Sequence, residues 1–304
     1  MKKLSLFLIC VLLLLSCSKK TGSGEGTVVL DDLGRSVTVG ETGRTASLVG
    51  SLAQIWMLAG GNVVAAPDDA WEDLKLDLPE DAVNLGKINN LSMEKLLASN
   101  PDWIIASPNV RQDISWKETL EAGGIPTCYF EVYTFQDYLH VLDVFTSLTG
   151  RKDLYKKYGS DIEKDIENTL KKNRTDSPKV LCLLASTAYL KAKNSESSVM
   201  GAMLSDLGCI NLADSESSLL ENLSIEYILK ENPQYIFITQ RGDDMEGMKK
   251  FVEKYFDEHP LWKELDAVKE GRVYFMDKNL YNLKPNHRWG EAYSILQEIL
   301  LDEE

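Results

Sequence analysis

The sequence contains few residues of the kinds that build common catalytic and metal sites. Its 304 residues include three histidines, His140, His259 and His287, which is too few for a site that captures zinc or copper through several imidazoles. The five cysteines form no C-x-x-C pair, which excludes a zinc knuckle and a thioredoxin-type redox motif. G-x-S-x-G, H-E-x-x-H, a Walker A loop and a dinucleotide-binding G-x-G-x-x-G between a strand and a helix are also absent. A hydrolase is therefore only a weak alternative, and we expect no enzyme activity.

The chain also has fewer basic than acidic residues. There are 33 Lys and Arg residues against 47 Asp and Glu, which gives a net charge of −14. Because such a surface repels phosphate backbones, no nucleic-acid partner is expected. Hydrophobic residues make up 44% of the chain, enough for one or two globular domains with cores of their own.

The first residues predict export and a lipid anchor. Two lysines precede an apolar run from Leu4 to Leu15 that has the layout of a secretory signal peptide and is too short to span a bilayer. The residues from Leu14 to Cys17 resemble the lipobox of bacterial lipoproteins, in which the cysteine is acylated. We therefore predict a signal peptide over residues 1–16, lipidation of Cys17, and a flexible tether over residues 17–27 that holds an extracytoplasmic body at the membrane. An ordinary cleaved signal followed by a chance cysteine is the alternative.

Strand-like and helix-like segments alternate along the rest of the chain. Val28 to Val39 has the pattern of a β-hairpin. Apolar runs predict buried strands with helical periodicity between them, which is typical of α/β sheets covered by helices. These runs are Val63–Ala66, Trp103–Ala106, Thr127–Val132 and Val180–Leu184. Cys128, Cys182 and Cys209 lie in apolar stretches and are expected to be buried free thiols.

An internal repeat indicates two similar halves. The segment from Asn90 to Ile105 aligns with the segment from Asn222 to Phe237. In each copy a serine can cap a short helix, an Asn-Pro pair ends the helix, and an apolar strand follows. The residues from Phe135 to Asn173 between the copies are mostly helical in pattern. A helix as the connection predicts stiff coupling and small lobe motion.

The order of these segments resembles the class III substrate-binding lipoproteins of ABC importers, which take up ferric siderophores, haem and cobalamin. The resemblance covers nearly the whole mature chain. It is carried by Asp31–Val39, Ser92–Ile105, Ala122–Pro126, Leu207–Ala213, Ser224–Phe237 and Leu261–Tyr274. It implies two α/β lobes, residues 28–148 and 175–304, joined by a long helix over residues 149–174, with a ligand cleft between the lobes.

The resemblance also implies partners. Family members dock on an ABC permease through one acidic residue on each lobe. The ATPase subunits of the importer are therefore expected partners as well, in the same complex as the permease. Glu94 and Glu226 stand at those positions here. An exposed carboxylate in the first turn of a helix is favoured by the helix dipole, so simple complementation of the two helix N-termini is the alternative.

Ligand contacts are expected in loops at the carboxyl ends of the strands. We select cations that can neutralise an anion, aromatic residues that can cover a large organic ligand, and polar residues near the predicted cleft. They are Ser51, Trp71, Asn109, Tyr133, Tyr189, Lys191, Arg241, Tyr281, Arg288 and Trp289. Trp289 can equally pack against its own lobe, and Arg288 can be a solvated residue at a helix start. No protein metal ligand and no resident cofactor are expected, since a chelate brings its own metal ligands.

The resulting function is a lipid-anchored receptor that binds a metal chelate of the iron-siderophore type, or haem or cobalamin, and delivers it to a permease. Three histidines make a zinc or manganese receptor a poor alternative. An oxyanion receptor, for instance for molybdate, stays open because Gly50-Ser51 begins a predicted helix whose free amides can receive an oxyanion.

Overall fold

The structure is a computed structural model that describes residues 26–172 and 176–301. The predicted signal peptide, the lipidation site Cys17 and all but the last two residues of the predicted tether lie outside these residues. None of the helices within them combines the length and the apolarity required to cross a bilayer.

From residue 26 onward, where the structure describes the chain, the N-terminal half contains nine strands and five helices. The strands are β1 Thr27–Leu30, β2 Ser36–Val39, β3 Thr45–Ser47, β4 Val63–Ala66, β5 Val83–Asn84, β6 Gly86–Lys87, β7 Asn90–Leu91, β8 Trp103–Ala106 and β9 Thr127–Tyr129. The helices are α1 Gly50–Leu58, α2 Asp69–Glu72, α3 Met93–Ala98, α4 Arg111–Ala122 and α5 Phe135–Thr149. A helical connection follows, formed by α6 Lys152–Tyr155, a π-helical turn Lys156–Ser160 and α7 Asp161–Leu170.

Within residues 176–301, the C-terminal half contains five strands and seven α-helices. The strands are β10 Lys179–Ala185, β11 Leu190–Ala192, β12 Ile210–Asn211, β13 Tyr235–Gln240 and β14 Val273–Met276. The helices are α8 Val199–Asp206, α9 Leu212–Ser215, α10 Ile225–Glu231, α11 Met245–Glu258, α12 Asp266–Lys269, α13 Lys278–Tyr281 and α14 Trp289–Leu301. Short 3₁₀ turns are formed by Ser217–Leu220, Pro260–Glu264 and Asn286–Arg288.

Each half is built on its own sheet. The N-terminal sheet has the order β5-β4-β3-β8-β9, and all of its strand pairs are parallel. In the C-terminal sheet β10, β13 and β14 are parallel neighbours, and β11 pairs with β10 in the antiparallel direction. The hairpin predicted from Val28 to Val39 is confirmed as the antiparallel pair β1-β2. Parallel strands gather the loops that follow them at one edge, which is where a ligand site is expected in each lobe.

The two copies of the repeat have the same local structure. The Ser92 hydroxyl accepts a hydrogen bond from the Lys95 amide at 3.2 Å, and the Ser224 hydroxyl accepts one from the Tyr227 amide at 3.4 Å. Each helix is followed by an asparagine in the left-handed region, with φ 47° at Asn100 and 45° at Asn232. Asparagine tolerates this conformation better than most residues, and the proline after it prevents the helix from continuing. The strands that follow, β8 and β13, occupy the same place between two parallel neighbours in their sheets.

A nearly continuous helix from Lys152 to Leu170 joins the halves. Helix α5 ends at Gly150, whose φ of 71° suits glycine, and the chain then turns back into α6. In the π-helical turn the Tyr158 carbonyl accepts a hydrogen bond from the Tyr138 hydroxyl at 2.8 Å, which fastens the connection to α5. The predicted fold class of two similar α/β lobes joined by a long helix is confirmed. The boundaries at residues 28–148, 149–174 and 175–304 stay a prediction.

The last helix, α14, binds the two halves together. Trp289 at its start has no exposed surface, and its ring lies 5.9 Å from that of Phe135 and 6.4 Å from that of Tyr138, both in α5. Just before it, the buried side-chain amide of Asn286 donates to the carbonyl of Ser51 at 2.9 Å and to Oε1 of Gln54 at 2.6 Å. The C-terminal segment therefore packs on the N-terminal half as well as on its own, which the repeat pattern did not indicate.

Candidate ligand-binding cleft

A cavity of about 180 Å³ lies beyond the carboxyl ends of β10 and β13. Most of its wall comes from the C-terminal half, and Tyr133 closes it from the N-terminal half. It is lined by Tyr133, Leu184, Lys193, Ser197, Ser198, Val199, Met200, Thr239, Arg241, Tyr281, Asn282 and Lys284. Three of these side chains are cationic and none is a carboxylate, although acidic residues outnumber basic ones in the chain as a whole.

The three cations of this cavity are not neutralised by ion pairs. In the part of the chain that the structure describes, the side chains of Lys193, Arg241 and Lys284 make no salt bridge and no hydrogen bond. Burial lowers the pKa of Lys193, and the nearby charges of Arg241 and Lys191 lower it further. Burial also lowers the pKa of Lys284, whose charge is only partly compensated by Glu131 and Asp69. Lys193 and Lys284 are partly buried and Arg241 is exposed, so three cationic groups without direct partners line one cavity, which favours a negatively charged ligand there.

A second cavity of about 340 Å³ adjoins the first and shares Arg241 and Asn282 with it. Its N-terminal wall is acidic and is formed mainly by Asp68, Asp69, Glu72 and Asp73. Lys278 lies across this cavity and forms an ion pair with Asp73 at 2.7 Å, while it also contacts Asp243 of its own half. The cleft thus has a basic wall on the C-terminal side and an acidic wall on the N-terminal side, linked by one ion pair.

The start of α1 does not offer an open oxyanion site. The Asp69 carboxylate lies directly against Gly50, so closely that a Cβ at this position would clash with it. Burial, together with the neighbouring charges of Asp73 and Asp68, raises the pKa of Asp69 to about 6. Ser51 is only 3% exposed. The ligand contact predicted for Ser51 therefore does not fit the structure, because the chain's own carboxylate covers the first turn of the helix.

The structure brings together three of the predicted ligand residues, Tyr133, Arg241 and Tyr281, which all line the smaller cavity. The ligand role predicted for Trp289 does not fit its position, because the ring is entirely within the core between α5 and α14. The guanidinium of Arg288 donates two hydrogen bonds of 2.7 Å to the neighbouring Glu291 and lines neither cavity.

The other four predicted residues lie outside the two cavities. Trp71 packs partly buried against the core, and Asn109 donates a hydrogen bond to Glu131 at 2.6 Å. The ammonium of Lys191 stacks over the ring of Tyr189, 5.5 Å from its centroid. For these four side chains a ligand contact stays a prediction.

Sequence reasoning missed Lys193 and Lys284. Lys193 comes directly after β11, two positions beyond the predicted Lys191, and the alternation of strand residues places both on the same face. This alternation is the sequence signal from which Lys193 could have been selected together with Lys191. Lys284 lies in a short irregular segment between α13 and the Asn286–Arg288 turn, and nothing in its sequence context indicates that it lines the cavity.

Glu94 and Glu226, the predicted docking residues, are both exposed and occupy the same position in the first turn of their helices, α3 and α10. Neither makes a salt bridge to any residue that the structure describes. The Glu226 carboxylate accepts a hydrogen bond from the Ser224 hydroxyl at 3.4 Å. Each half therefore presents one exposed carboxylate without an ion pair from an equivalent place in the repeat.

Comparison with known proteins decides the family. The family model described as "Periplasmic binding protein" matches residues 46–280, about three quarters of the chain. The chain belongs to this family. The periplasmic binding proteins are extracytoplasmic solute-binding proteins, so this member is a binding protein and not an enzyme. The resemblance to the class III substrate-binding proteins is confirmed.

Relatives and solved structures give the same picture for this periplasmic binding protein. It is 24% identical to the iron-uptake system-binding protein of Bacillus subtilis (strain 168), over 73% of this chain and 68% of the relative. It is 23% identical to the Fe(3+)-citrate-binding protein of the same organism, over 91% of this chain and 89% of the relative. Its fold is similar to that of the triscatecholate siderophore binding protein of Bacillus subtilis complexed with ferri-bacillibactin, with a TM-score of 0.71, 22% identity, and coverage of 91% of this chain and 98% of that one.

Proposed function

We propose that this periplasmic binding protein captures an anionic iron chelate of the siderophore type outside the cytoplasm and delivers it to an ABC permease. Cys17 is proposed as the lipid anchor that keeps the protein at the membrane. No covalent step belongs to this function, because binding in the cleft and docking on the permease are sufficient.

The proposal rests mainly on Arg241, whose side chain has no ion pair and no hydrogen bond within the described part of the chain. Its guanidinium lies where the two cavities of the cleft meet, directly after the buried strand β13, whose last residue is Gln240. A guanidinium offers a planar set of donors that suits the oxygens of carboxylate, catecholate or hydroxamate groups. Both cavities that Arg241 lines also have wall residues from the N-terminal half, so a ligand that fills either cavity contacts both halves.

The names of the relatives support iron as the metal, since one is described as an iron-uptake system-binding protein and another as an Fe(3+)-citrate-binding protein. Haem and cobalamin are the alternative ligands. Both need large apolar walls for a macrocycle, whereas the smaller cavity is lined chiefly by polar and cationic side chains.

The proposed delivery uses Glu94 and Glu226. Two carboxylates at a fixed separation on a rigid body can be matched by two cationic pockets on a permease, which sets orientation more than affinity. The helical connection and the packing of α14 on both halves are what hold that separation in the protein.

A thermal-shift panel tests the ligand class. Ferric citrate, a ferric tris-catecholate, a ferric hydroxamate, haemin and cobalamin are each added to the purified protein. A ligand present at about 100 times its Kd should stabilise the fold by about 2.7 kcal/mol. We expect stabilisation by at least one anionic ferric chelate and none by haemin or cobalamin. Stabilisation by a macrocycle alone would contradict the proposal.

The variant Arg241→Gln tests whether this guanidinium binds the chelate. Because charge-assisted hydrogen bonds contribute about 1.5–3 kcal/mol, the variant should bind the chelate roughly 10- to 100-fold more weakly, measured by titration calorimetry. Its ligand-free stability should be unchanged, because no protein group is left unpaired. Arg111→Gln is the matched control, since Arg111 is exposed at the start of α4 and lines neither cavity.

A further inference from the structure

The first turn of α8 forms one wall of the smaller cavity. Ser198, Val199 and Met200 line the cavity, and the Ser198 hydroxyl caps the helix by accepting the Gly201 amide at 3.1 Å. The first N–H groups of a helix have no acceptor within the helix and carry a partial positive charge. This end of α8 therefore attracts a negatively charged group that enters the cavity.

Two ammonium groups add to this attraction. Lys193, just after β11, and Lys284, from the segment after α13, line the same small cavity. The Lys284 side chain is partly buried and makes no hydrogen bond or ion pair with residues 26–172 and 176–301, although Glu131 and Asp69 lie near enough to compensate part of its charge. A partly buried ammonium that lines a cavity without a direct partner is available to an anionic group of a ligand.

The corresponding helix of the N-terminal half provides an internal comparison. Helix α1 follows β3, which pairs with β8, and α8 follows the antiparallel pair β10-β11, in which β10 pairs with β13. At the first turn of α1 the space is filled by the carboxylate of Asp69. At the first turn of α8 the cavity has Lys193 and Lys284 in its lining and no carboxylate. Among the described residues, the two lobes thus differ at the helix that follows the first strand of each sheet core, and the turn of α8 is the one that borders a basic cavity.

The size of the cavity limits what can enter. Cavities that hold a whole drug-sized ligand usually measure about 300–1,000 Å³. The volume of about 180 Å³ suits one short arm of a ligand, and the adjoining cavity of about 340 Å³ has room for the remainder.

From this arrangement we infer that the ligand carries a free carboxylate arm, which binds between the first turn of α8 and the ammonium groups of Lys193 and Lys284. The inference rests on the proposed function in one respect, since the remainder of the ligand is taken to be the ferric chelate. It adds a chemical requirement, a carboxylate that is available to the protein, and it names the two lysines that recognise it.

Metal-free citrate is the probe that separates this subsite from the chelate. Titration calorimetry should show that citrate binds the full-length protein, that trimethyl citrate does not, and that inorganic phosphate binds more weakly than citrate. Lys284→Gln and Lys193→Gln should each weaken citrate and ferric citrate binding at least tenfold. Lys250→Gln is the control, because Lys250 is an exposed lysine of α11 that lines neither cavity, and this change should alter either affinity less than twofold. Circular dichroism at the titration temperature shows that each variant is folded.

The outcomes distinguish the subsite from the wider function. If a ferric chelate binds the wild type and Lys284→Gln equally well, the subsite is refuted and the proposed function stands. If metal-free citrate binds in a Lys284-dependent way but no ferric chelate binds, the subsite stands and the proposed function is refuted. Tighter binding of phosphate than of citrate, or no citrate binding at all, overturns the carboxylate assignment.

Discussion

Reversing the charge of both Glu94 and Glu226 is expected to abolish uptake of the chelate while its affinity for the binding protein stays unchanged. Both carboxylates are exposed, lie at equivalent positions of the repeat, and line neither cavity of the cleft. Lysine at these positions would face the proposed cationic pockets of the permease, and like charges brought together at an interface cost several kcal/mol. Uptake of radioactive iron by cells that express the double variant should fall at least 100-fold.

A second double variant provides the control for this experiment. Glu118→Lys with Glu253→Lys makes the same change of net charge at exposed positions outside the repeat. It should leave uptake within about twofold of the wild type, since long-range effects of surface charge are screened at physiological salt. Equal loss of uptake in both double variants would show that net charge matters and that Glu94 and Glu226 have no specific docking role.

Replacing Trp289 by alanine is expected to cause a large loss of stability. The ring is fully buried between α5 and its own helix, and it contacts Phe135, Tyr138 and Tyr293. Truncation of a buried tryptophan typically costs about 3–5 kcal/mol, because a large cavity remains. Urea unfolding should show this loss, and Trp289→Phe, which preserves an aromatic contact, should lose markedly less.

The same variant separates a packing role from a ligand role. The chelate affinity of folded Trp289→Ala, measured at a temperature well below its unfolding transition, should be within a few-fold of the wild type. A near-normal unfolding free energy combined with loss of chelate binding would mean that the ring contacts ligand and that its assignment to the core is wrong.

Local sequence signals predicted the architecture well. The runs Val63–Ala66 and Trp103–Ala106 form strands with these bounds, because apolar stretches bounded by turn residues report burial directly. The run Thr127–Val132 is a strand only as far as Tyr129, since the chain leaves the sheet there toward the cleft while Phe130 and Val132 stay buried. Hydrophobicity records burial and does not distinguish a strand from a buried loop.

The site was predicted less completely, and the reason is physical. Arg241 follows a recognisable strand, so its place at the sheet edge could be inferred from the sequence. The place of Lys284 in the cavity and the closure of the α1 N-terminus by Asp69 depend on how distant segments pack, and no local pattern encodes them. Trp289 was ambiguous for the same reason, because an aromatic residue at a helix start is equally compatible with a core and with a binding surface.

The central claim is that a ferric chelate binds between the lobes, against the basic wall of the C-terminal half. The most direct test is anomalous diffraction at the iron absorption edge, from crystals grown with the ferric chelate that gives the largest thermal shift. The account predicts one strong iron peak inside the cleft, with ligand oxygens within hydrogen-bonding distance of Arg241 and a ligand arm reaching the first turn of α8. An iron peak on the outer surface of either lobe, or a cleft without iron in crystals that contain the bound chelate, would contradict it.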